Sequence, residues 1–389
     1  MKSVNHVFDV AISDEIRILA VHNVLRNARK TREFRKYAGN EDETVKESKD
    51  WLINYHNAGH HSVEIYDGIS HKKRTIIVPT TRELIVQHCV VEALKPMFMR
   101  GMYRHSYASI PWRWVPSGNI VKGHPQMLKD IRGAHRGKKV IERWLRDKKN
   151  TKYVLKMDIH HFFDSVPHDV LKKMLTDKIH DDKMISLLFK IIDVVPNGLP
   201  LGFYLSQWLS NFYLQGLDHF IKEDLKAVYY MRYMDDMVIF GSNKRRLHEI
   251  RAEVEAYLRD KLKLALKDNW QVFRFAYTKK GRTYGRDLDF MGFRFFRRKT
   301  ILRRSIMLKC TRKAKRIAKK EKPTVFDARQ FMSYNGYLKY TDTYQMYLDR
   351  IKPFVSFRKL KNIISKHDRR KANELSNRTR DMGTAPAGN

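Results

Sequence analysis

The sequence predicts an α+β fold, and three observations support this prediction. Two apolar stretches, residues 228–231 and 237–240, flank a short acidic turn, which is typical of two strands joined by a tight turn. Residues 151–157 form a further strand-like segment. Apolar residues recur at helical spacing in residues 12–34 and 246–263, so amphipathic helices are expected to pack beside the strands.

Three carboxylates stand where these strands end. Asp235 and Asp236 occupy the predicted turn, and Asp158 follows the other strand-like segment. A pair of acids taken alone is more often a solvated surface turn, but a third acid at the end of a second strand favours a common site. Carboxylate oxygens are the ligands that Mg²⁺ prefers, and three of them suit a two-metal phosphoryl-transfer site. These aspartates are therefore the candidate catalytic residues, with two Mg²⁺ ions, or Mn²⁺ in their place, as the expected cofactors.

Net charge is the unusual feature of the composition. The 389 residues include 78 Lys and Arg against 42 Asp and Glu, a formal net charge of +36. Such an excess destabilises a compact chain by self-repulsion unless a polyanion neutralises it. Nucleic acid is the expected partner. A membrane partner is not expected, because no apolar run is long enough to span a bilayer.

The cysteines and the N-terminus indicate a cytoplasmic location. Cys89 and Cys310 are the only cysteines, and two such distant residues cannot build a disulfide framework or a zinc cluster. The first residues also lack the apolar stretch of a signal peptide.

The N-terminal third is predicted to contain two helices and a hairpin. A second helix, residues 81–95, is expected to stop at Pro96, because proline lacks the amide hydrogen that continues a helix. Residues 63–68 and 72–79 have the composition of a β-hairpin. The helix in residues 12–34 should bury a broad apolar face made of Ile12, Ile16, Ile18, Leu19, Val21 and Leu25.

Four motifs in this order resemble those of bacterial reverse transcriptases. The Tyr-Met-Asp-Asp sequence at 233–236 is the signature of that family, and 158–165, 198–207 and 289–295 are similar to its first palm motif, second palm motif and primer-grip hairpin. The resemblance covers about residues 71–355. It implies a right-hand polymerase with fingers, palm and a helical thumb, and an RNA-directed DNA polymerase activity that uses dNTPs.

The resemblance also implies a domain layout. Its parts are an N-terminal extension at 1–70, fingers at 71–150 with an insertion at 112–131, a palm at 151–300 in which 170–197 contributes to the fingers, a thumb at 301–370 and a polar, frayed tail at 371–389.

Several nucleotide-binding residues follow from the resemblance. Lys72 and Arg74 would hold the triphosphate, since guanidinium and ammonium groups bind phosphate oxygens; the alternative is a solvated basic edge strand. Phe163 would be the steric gate against the ribose 2′-hydroxyl. The alternative is a core phenylalanine, and the neighbouring Phe162, which must face the opposite way on a strand, argues against it. Ile159 would complete the metal site.

The second palm motif contributes further candidates. Gly202 would let backbone approach the nucleotide. The Ser206-Gln207 ending is similar to that of diversity-generating retroelement enzymes, in which it accompanies error-prone copying. Lys267 is a candidate general acid for the leaving pyrophosphate, and a solvated lysine is an equal alternative.

The C-terminal third is expected to bind the template–primer duplex. Phe290, Met291 and Gly292 would form the primer grip, and Thr324 marks a helix start. The basic residues that would contact nucleic-acid phosphates are Arg303, Arg304, Lys309, Arg312, Lys313 and Arg316.

Three biological roles stay open at this point. The first is an anti-phage defence enzyme that copies a structured non-coding RNA into cDNA, favoured by the insertion and by the lack of an appended domain. The second is a diversity-generating retroelement enzyme, favoured by the Ser206-Gln207 ending. The third is a non-catalytic RNA-binding scaffold. An accessory protein or a second polymerase subunit is a further expected partner.

Overall fold

The computed structural model describes residues 3–26, 32–67, 72–107, 114–115, 126–127 and 133–382. The helices are α1 Val7–Ala11, α2 Asp14–Arg26, α3 Arg32–Gly39, α4 Glu41–Ile53, α5 Thr81–Arg100, α6 Ala134–Trp144, α7 Phe162–Ser165, α8 His168–Thr176, α9 Asp182–Ile192, α10 Tyr204–His219, α11 Lys244–Leu262, α12 Arg304–Ala318, α13 Val325–Met332, α14 Asn335–Lys339, α15 Tyr344–Arg350 and α16 Phe357–Met382, with a π-helical turn at Phe220–Asp224. The strands are β1 Val4–Asn5, β2 His60–Asp67, β3 Lys72–Pro79, β4 Ser106–Tyr107, β5 Trp114–Val115, β6 Gln126–Met127, β7 Tyr153–Met157, β8 Ile179–His180, β9 Tyr229–Tyr233, β10 Asp236–Gly241, β11 Gln271–Arg274, β12 Tyr277–Lys279, β13 Arg282–Tyr284, β14 Leu288–Phe290, β15 Phe293–Phe295 and β16 Thr300–Leu302.

The chain mixes helices and strands, as the sequence predicts, and divides into two compact units, Met1–Phe275 and Ala276–Asn389. The first unit contains a five-stranded sheet in the order β11-β7-β10-β9-β4. Its central strands β7, β10 and β9 pair antiparallel, and β4 runs parallel to β9. Met237 to Phe240 are all buried, because β10 lies in the middle of the sheet and packs on both faces.

Two long helices, α5 and α10, form much of the first core. The predicted stop of α5 at Pro96 is wrong, since the helix continues to Arg100 with Pro96 inside it. An interior proline costs about 3 kcal/mol in a helix. Met97 and Phe98 are each 1% exposed, and their burial offsets that cost.

The burial predicted for the first long helix is partly wrong. Leu19 and Val21 are buried, but Ile18 is 55% exposed. The helical run also begins at Asp14 and is described only to Arg26. The side packed on α5 follows i, i+3, i+4 spacing through buried residues 17, 20, 21 and 24, and Ile18 lies outside that stripe. Ile12, Ile16 and Leu25 are half-buried at its margin.

The second unit packs α12, α13 and α16 around their own apolar core beside the three-stranded sheet β14-β15-β16. The helix start at Thr324 is confirmed, since its side chain and that of Asp327 form a capping box. The helix α16 extends to Met382, into the segment predicted to be a polar, frayed tail, and residues 383–389 of that segment lie outside the described residues. Leu360 anchors the helix in the core, and an Arg329–Asp368 ion pair of 2.6 Å braces it further along.

Most of the predicted insertion lies outside the described residues. Within 112–131 the structure describes only β5 and β6, which pair antiparallel. Among the described residues, no helix is both long and apolar enough to cross a bilayer.

Candidate active site

The turn between β9 and β10 brings the three candidate carboxylates together. Tyr233 pairs with Asp236 across this hairpin, which leaves Met234 and Asp235 as the turn residues. Met234 has the left-handed φ of 56° that such two-residue turns require. Met237 pairs in turn with Met157 of β7. The residue after Met157, Asp158, therefore emerges beside the turn.

Asp158 and Asp235 share a partly buried position. Burial raises the pKa of Asp235 to about 7, and the negative charges of Asp158 and then Asp236, with a hydrogen bond to the Asp158 carboxyl, act in the same direction. The Asp158 Oδ1 atom is buried and has no hydrogen-bond partner. The site thus holds more negative charge and more acceptor oxygen than the protein satisfies, which fits a bound divalent cation. In the part of the chain that the structure describes, no three acidic, imidazole or thiol groups form a complete metal cluster.

Lys267 lies beside these carboxylates. Its ammonium forms an ion pair with Asp158 Oδ2, and its backbone N–H donates to the Asp158 carbonyl at 2.8 Å. A β-bridge between Ile159 and Leu266 and a hydrogen bond from the His160 N–H to the Ala265 carbonyl, 2.8 Å long, fix this register. The sequence alone could not predict this register, because residues 264–267 form no regular strand. Ile159 is buried, and its apolar side chain has no ligand atom, so a metal could be bound only by its backbone carbonyl.

Phe163 lies on a helical turn and not on the predicted strand. It belongs to the short helix α7, in which Phe162 is buried and Phe163 is half-buried. The Phe163 carbonyl accepts a hydrogen bond of 2.6 Å from the Leu199 N–H. Gly198 makes this approach possible: a Cβ there would lie 2.3 Å from the Phe163 oxygen. The first and second palm-like motifs are therefore locked together by backbone contact.

Gly202 permits a close approach of the protein's own strand β3. Its φ is +119°, and a Cβ at this position would lie 2.3 Å from the Ile77 carbonyl oxygen. The Ile77 N–H donates to the neighbouring Leu201 carbonyl at 2.7 Å. The Ser206 hydroxyl donates to the Pro200 carbonyl at 2.8 Å, which braces the same loop, and Gln207 is half-buried one residue further on.

The basic strand β3 is thereby attached to the second palm-like motif. The predicted hairpin is confirmed as β2 and β3, with Arg74 opposite Ile65. Arg74 shares a face with Ile76 because side chains alternate along a strand, and the Ile76 side chain meets Gly202. Arg74 is exposed on that face, and Lys73 on the other face pairs with Glu64 at 2.6 Å. The side chain of Lys72 lies outside the described residues.

Comparison with known protein families identifies the family of this chain. Residues 63–294 match the family model described as reverse transcriptase (RNA-dependent DNA polymerase). The chain belongs to the reverse transcriptase family. It is 27% identical over 237 residues to Protein YkfC of Escherichia coli, which covers 50% of this chain and 58% of that protein. It is also 40% identical over 82 residues to an uncharacterized 91 kDa protein in cob intron of Schizosaccharomyces pombe, covering 18% of this chain and 10% of that protein. The chain thus spans less than two thirds of either relative.

The reverse transcriptase domain contains a buried ion pair that sequence reasoning missed. Arg232 and Asp218 have side chains that are 1% and 0% exposed, with Nη2 and Oδ2 2.6 Å apart. A second bond of 2.8 Å joins Arg232 Nε to Asp218 Oδ1. Tyr230 donates to the same carboxylate at 2.7 Å. Arg232 Nη1 also donates to the Met234 carbonyl at 2.9 Å, so this network holds the turn that carries Asp235. An arginine between apolar strand residues is the one signal in the sequence.

The second unit holds the predicted primer grip and basic helix. The grip is a β14–β15 hairpin in which Phe290 is buried, and Met291 and Gly292 take φ values of 51° and 85°. Two of the predicted phosphate-binding cations are engaged within the protein: Arg303 pairs with Asp289 at 2.5 Å, and Lys313 with the buried Asp327 at 3.0 Å. The others along α12 are half-buried at Lys309 and exposed at Arg304, Arg312 and Arg316.

Proposed function

We propose that this chain is an RNA-directed DNA polymerase whose reaction centre is formed by Asp158, Asp235 and Asp236. The observation that carries the proposal is the contact between Asp158 and Asp235, with its raised Asp235 pKa and its unsatisfied Asp158 oxygen. Two carboxylates held this close repel each other when both are ionised, and a bound divalent cation would compensate that repulsion. Membership of the reverse transcriptase family supports the choice of reaction.

These carboxylates and the Ile159 carbonyl would hold two Mg²⁺ ions, with Mn²⁺ as a substitute. When bound, such ions lower the pKa of the primer 3′-hydroxyl and neutralise charge on the triphosphate and the leaving pyrophosphate. The protein contributes orientation and electrostatics. Lys267 forms an ion pair with Asp158, and its ammonium group would be available to protonate the leaving pyrophosphate.

The nucleotide would lie against Phe163, with Lys72 and Arg74 at its phosphates. Arg74 supports this assignment, because it is exposed on the face of β3 that meets Gly202. Gly202, Ser206 and Gln207 would form the loop under the nucleotide. In this arrangement the sheet with its carboxylates and the primer grip belong to the palm, the β2–β3 hairpin belongs to the fingers, and the helices from residue 301 onward form the thumb.

Replacement of Phe163 tests the gate. A Phe163→Val enzyme is expected to use ribonucleotides at least about tenfold better relative to deoxynucleotides, because a single pocket contact is worth that much discrimination. The measurement is the ratio of kcat/KM for rGTP and dGTP on one template. Phe162→Leu is the matched control, since it alters the buried neighbour and should leave the ratio unchanged. Unchanged sugar selectivity in Phe163→Val would contradict the gate.

Replacement of Gly202 tests the attachment of β3. Gly202→Ala is expected to destabilise the protein by about 1–3 kcal/mol, because alanine is strained at that φ and its Cβ meets the Ile77 carbonyl. The measurement is urea unfolding. Gly39→Ala is the control, since nothing lies within 4 Å of its Cβ position. Equal stabilities for both variants would rule out the close approach.

The template is proposed to be a dedicated, structured non-coding RNA, copied into cDNA in an anti-phage defence system. The charge of +36 supports a bound RNA, because so large an excess destabilises the compact chain by self-repulsion unless a polyanion neutralises it. An accessory protein or a second polymerase subunit would complete the system. A diversity-generating retroelement enzyme for mutagenic retrohoming is the second candidate, favoured by the Ser206-Gln207 ending.

Purification of the protein from its native operon, followed by sequencing of the bound RNA and DNA, tests these roles. An Asp235→Ala protein is the control. The expected result is one discrete RNA, with complementary DNA that is missing from the control. A cDNA from a repeat beside a variable gene would identify the retroelement role. Bound RNA without any DNA, together with no primer extension in vitro, would favour the third hypothesis, a non-catalytic RNA-binding scaffold.

A further inference from the structure

The hairpin formed by β12 and β13 stands apart from the rest of the second unit. Its two strands pair only with each other, through three residue pairs from Tyr277↔Tyr284 to Lys279↔Arg282. Residues 278–286 are all exposed. A hairpin of this size is marginal by itself, so its sequence would be expected to favour stability wherever function allows.

Three features of its sequence instead destabilise this hairpin. Lys279 and Arg282 are directly opposite each other, and like charges in that position are destabilising. Lys280 and Gly281 are the turn residues, with φ values of 48° and 73°. Asn, Asp or Gly is preferred at such positive φ values, so the lysine is the unfavourable residue of the two. Residues 276–286 contain four cations and no acid. None of Lys279, Lys280 and Arg282 forms an ion pair with a described residue. A polyanionic partner is the physical reason for keeping such a sequence.

The aromatic side chains indicate which polyanion. Tyr277 and Tyr284 are stacked, with ring centroids 5.6 Å apart and an interplanar angle of 26°. Tyr284 is nevertheless 45% exposed. Side chains alternate along strands, so both tyrosines share one face with Lys279 and Arg282. That face offers an aromatic platform followed by two cations, which is the combination that holds unpaired nucleic acid by its bases and phosphates.

We propose that the face formed by Tyr277, Lys279, Arg282 and Tyr284 binds an unpaired RNA strand. A base stacks on the tyrosine pair, and Lys279, Lys280 and Arg282 contact the phosphates that follow. The choice of RNA over DNA rests on the proposed function. An anionic membrane is the poorer match, because the tip, Lys280 and Gly281, carries no apolar side chain to insert.

The test is the affinity of the full chain for a fluorescein-labelled, unstructured RNA oligonucleotide, measured by anisotropy over a salt series without dNTPs. Tyr284→Ala is expected to raise Kd by about 5- to 150-fold at an unchanged salt slope, since one stacked base is lost. Tyr284→Phe should retain wild-type affinity. Lys279→Ala/Arg282→Ala should reduce the slope of log K against log salt by about 1.4, because two phosphate contacts on a single strand are lost.

A charge-matched control separates this surface from general electrostatics. Lys46→Ala/Lys49→Ala removes the same two charges from exposed positions on α4 and should leave the slope nearly unchanged. Equal losses in the two double variants would overturn the proposal. Losses for a DNA oligonucleotide but not for RNA would also overturn it and assign the face to the product strand.

Lys280→Asn keeps the test independent of folding defects. Asparagine suits the left-handed turn, so this variant should melt at a higher temperature than wild type and still bind RNA more weakly, with a slope reduced by about 0.7. Unchanged RNA binding in this more stable protein would argue against the surface. Primer extension by the wild-type protein is measured separately. RNA binding that depends on the hairpin, without primer extension, would contradict only the proposed polymerase activity. Primer extension, with RNA binding that does not depend on the hairpin, would contradict only this inference.

Discussion

An Asp235→Asn protein is expected to lose DNA synthesis by at least about a thousandfold, yet to unfold at a higher temperature than wild type when metal is absent. The loss follows because a bound cation supplies several kcal/mol of transition-state stabilisation, and each 1.4 kcal/mol or so is worth about tenfold in rate. The gain follows because burial and the charge of Asp158 disfavour an ionised carboxylate at this position, and asparagine removes that charge.

The stability difference should depend on pH with a definite sign. The pKa of Asp235 in the folded protein is raised to about 7 from its ordinary value of 3.8. A raised pKa gives a contribution to stability that is complete below the unfolded value and is lost as pH rises through the folded value. Metal-free wild type should therefore lose stability relative to Asp235→Asn as pH rises from about 4 to about 8.

Thermal unfolding with EDTA or with Mg²⁺, at about pH 5.5 and about pH 8, measures this linkage. Mg²⁺ should raise the melting temperature of wild type more at the higher pH, because protons compete with the metal for Asp235. It should have little effect on Asp235→Asn. Asp268→Asn, an exposed carboxylate close to Lys267 in sequence, is the control. If metal-free Asp235→Asn is no more stable than metal-free wild type at the higher pH, then an ionised Asp235 does not destabilise the folded protein and the explanation given for the site is wrong.

The parts of the fold that the sequence predicts are those fixed by local patterns. The turn with Asp235 can be predicted because apolar strands flank it. The helix α11 can be predicted because apolar residues recur at helical spacing in residues 246–263, and those at 247, 250, 254 and 258 are all buried. The predictions at Pro96 and Ile18 fail because local sequence patterns do not decide these two features. Whether a helix passes a proline, and which stripe faces inward, depends on the packing of α5 against its neighbours.

The contacts of the site residues lie beyond sequence reasoning because they are tertiary. Gly202 has an obvious need for space, but the group that fills the space is the Ile77 carbonyl, more than a hundred residues earlier in the chain. Lys267 meets Asp158 only through the bridge at Ile159 and Leu266. The charged partner of Arg232 sits on another element, α10, at a position that has no motif of its own.

Arg232 gives the second large expected effect. Arg232→Met should destabilise the protein by about 3–5 kcal/mol, because it leaves the Asp218 carboxylate buried without its partner. Arg232→Lys separates positioning from stability. Lysine keeps the charge, but its single ammonium cannot reproduce the planar fork that bonds both Asp218 oxygens and the Met234 carbonyl.

Arg232→Lys should therefore reduce kcat by about 10- to 100-fold, because small displacements of reacting groups carry costs of that size. The KM for dNTP should change little, since Arg232 does not reach the β3 cations or the second palm-like motif. Steady-state primer extension separates the two constants at a temperature where circular dichroism shows the variant fully folded.

Tyr230→Phe is the matched control, because it removes one hydrogen bond to Asp218 and leaves the bond to the Met234 carbonyl in place. Its expected cost is about 1 kcal/mol of stability, with kcat unchanged. A folded Arg232→Lys protein with wild-type kcat would restrict Arg232 to a structural role. A fall in kcat that excess Mg²⁺ partly restores would instead show that the arginine acts on the carboxylates through the turn, since a displaced Asp235 weakens metal binding before it prevents it.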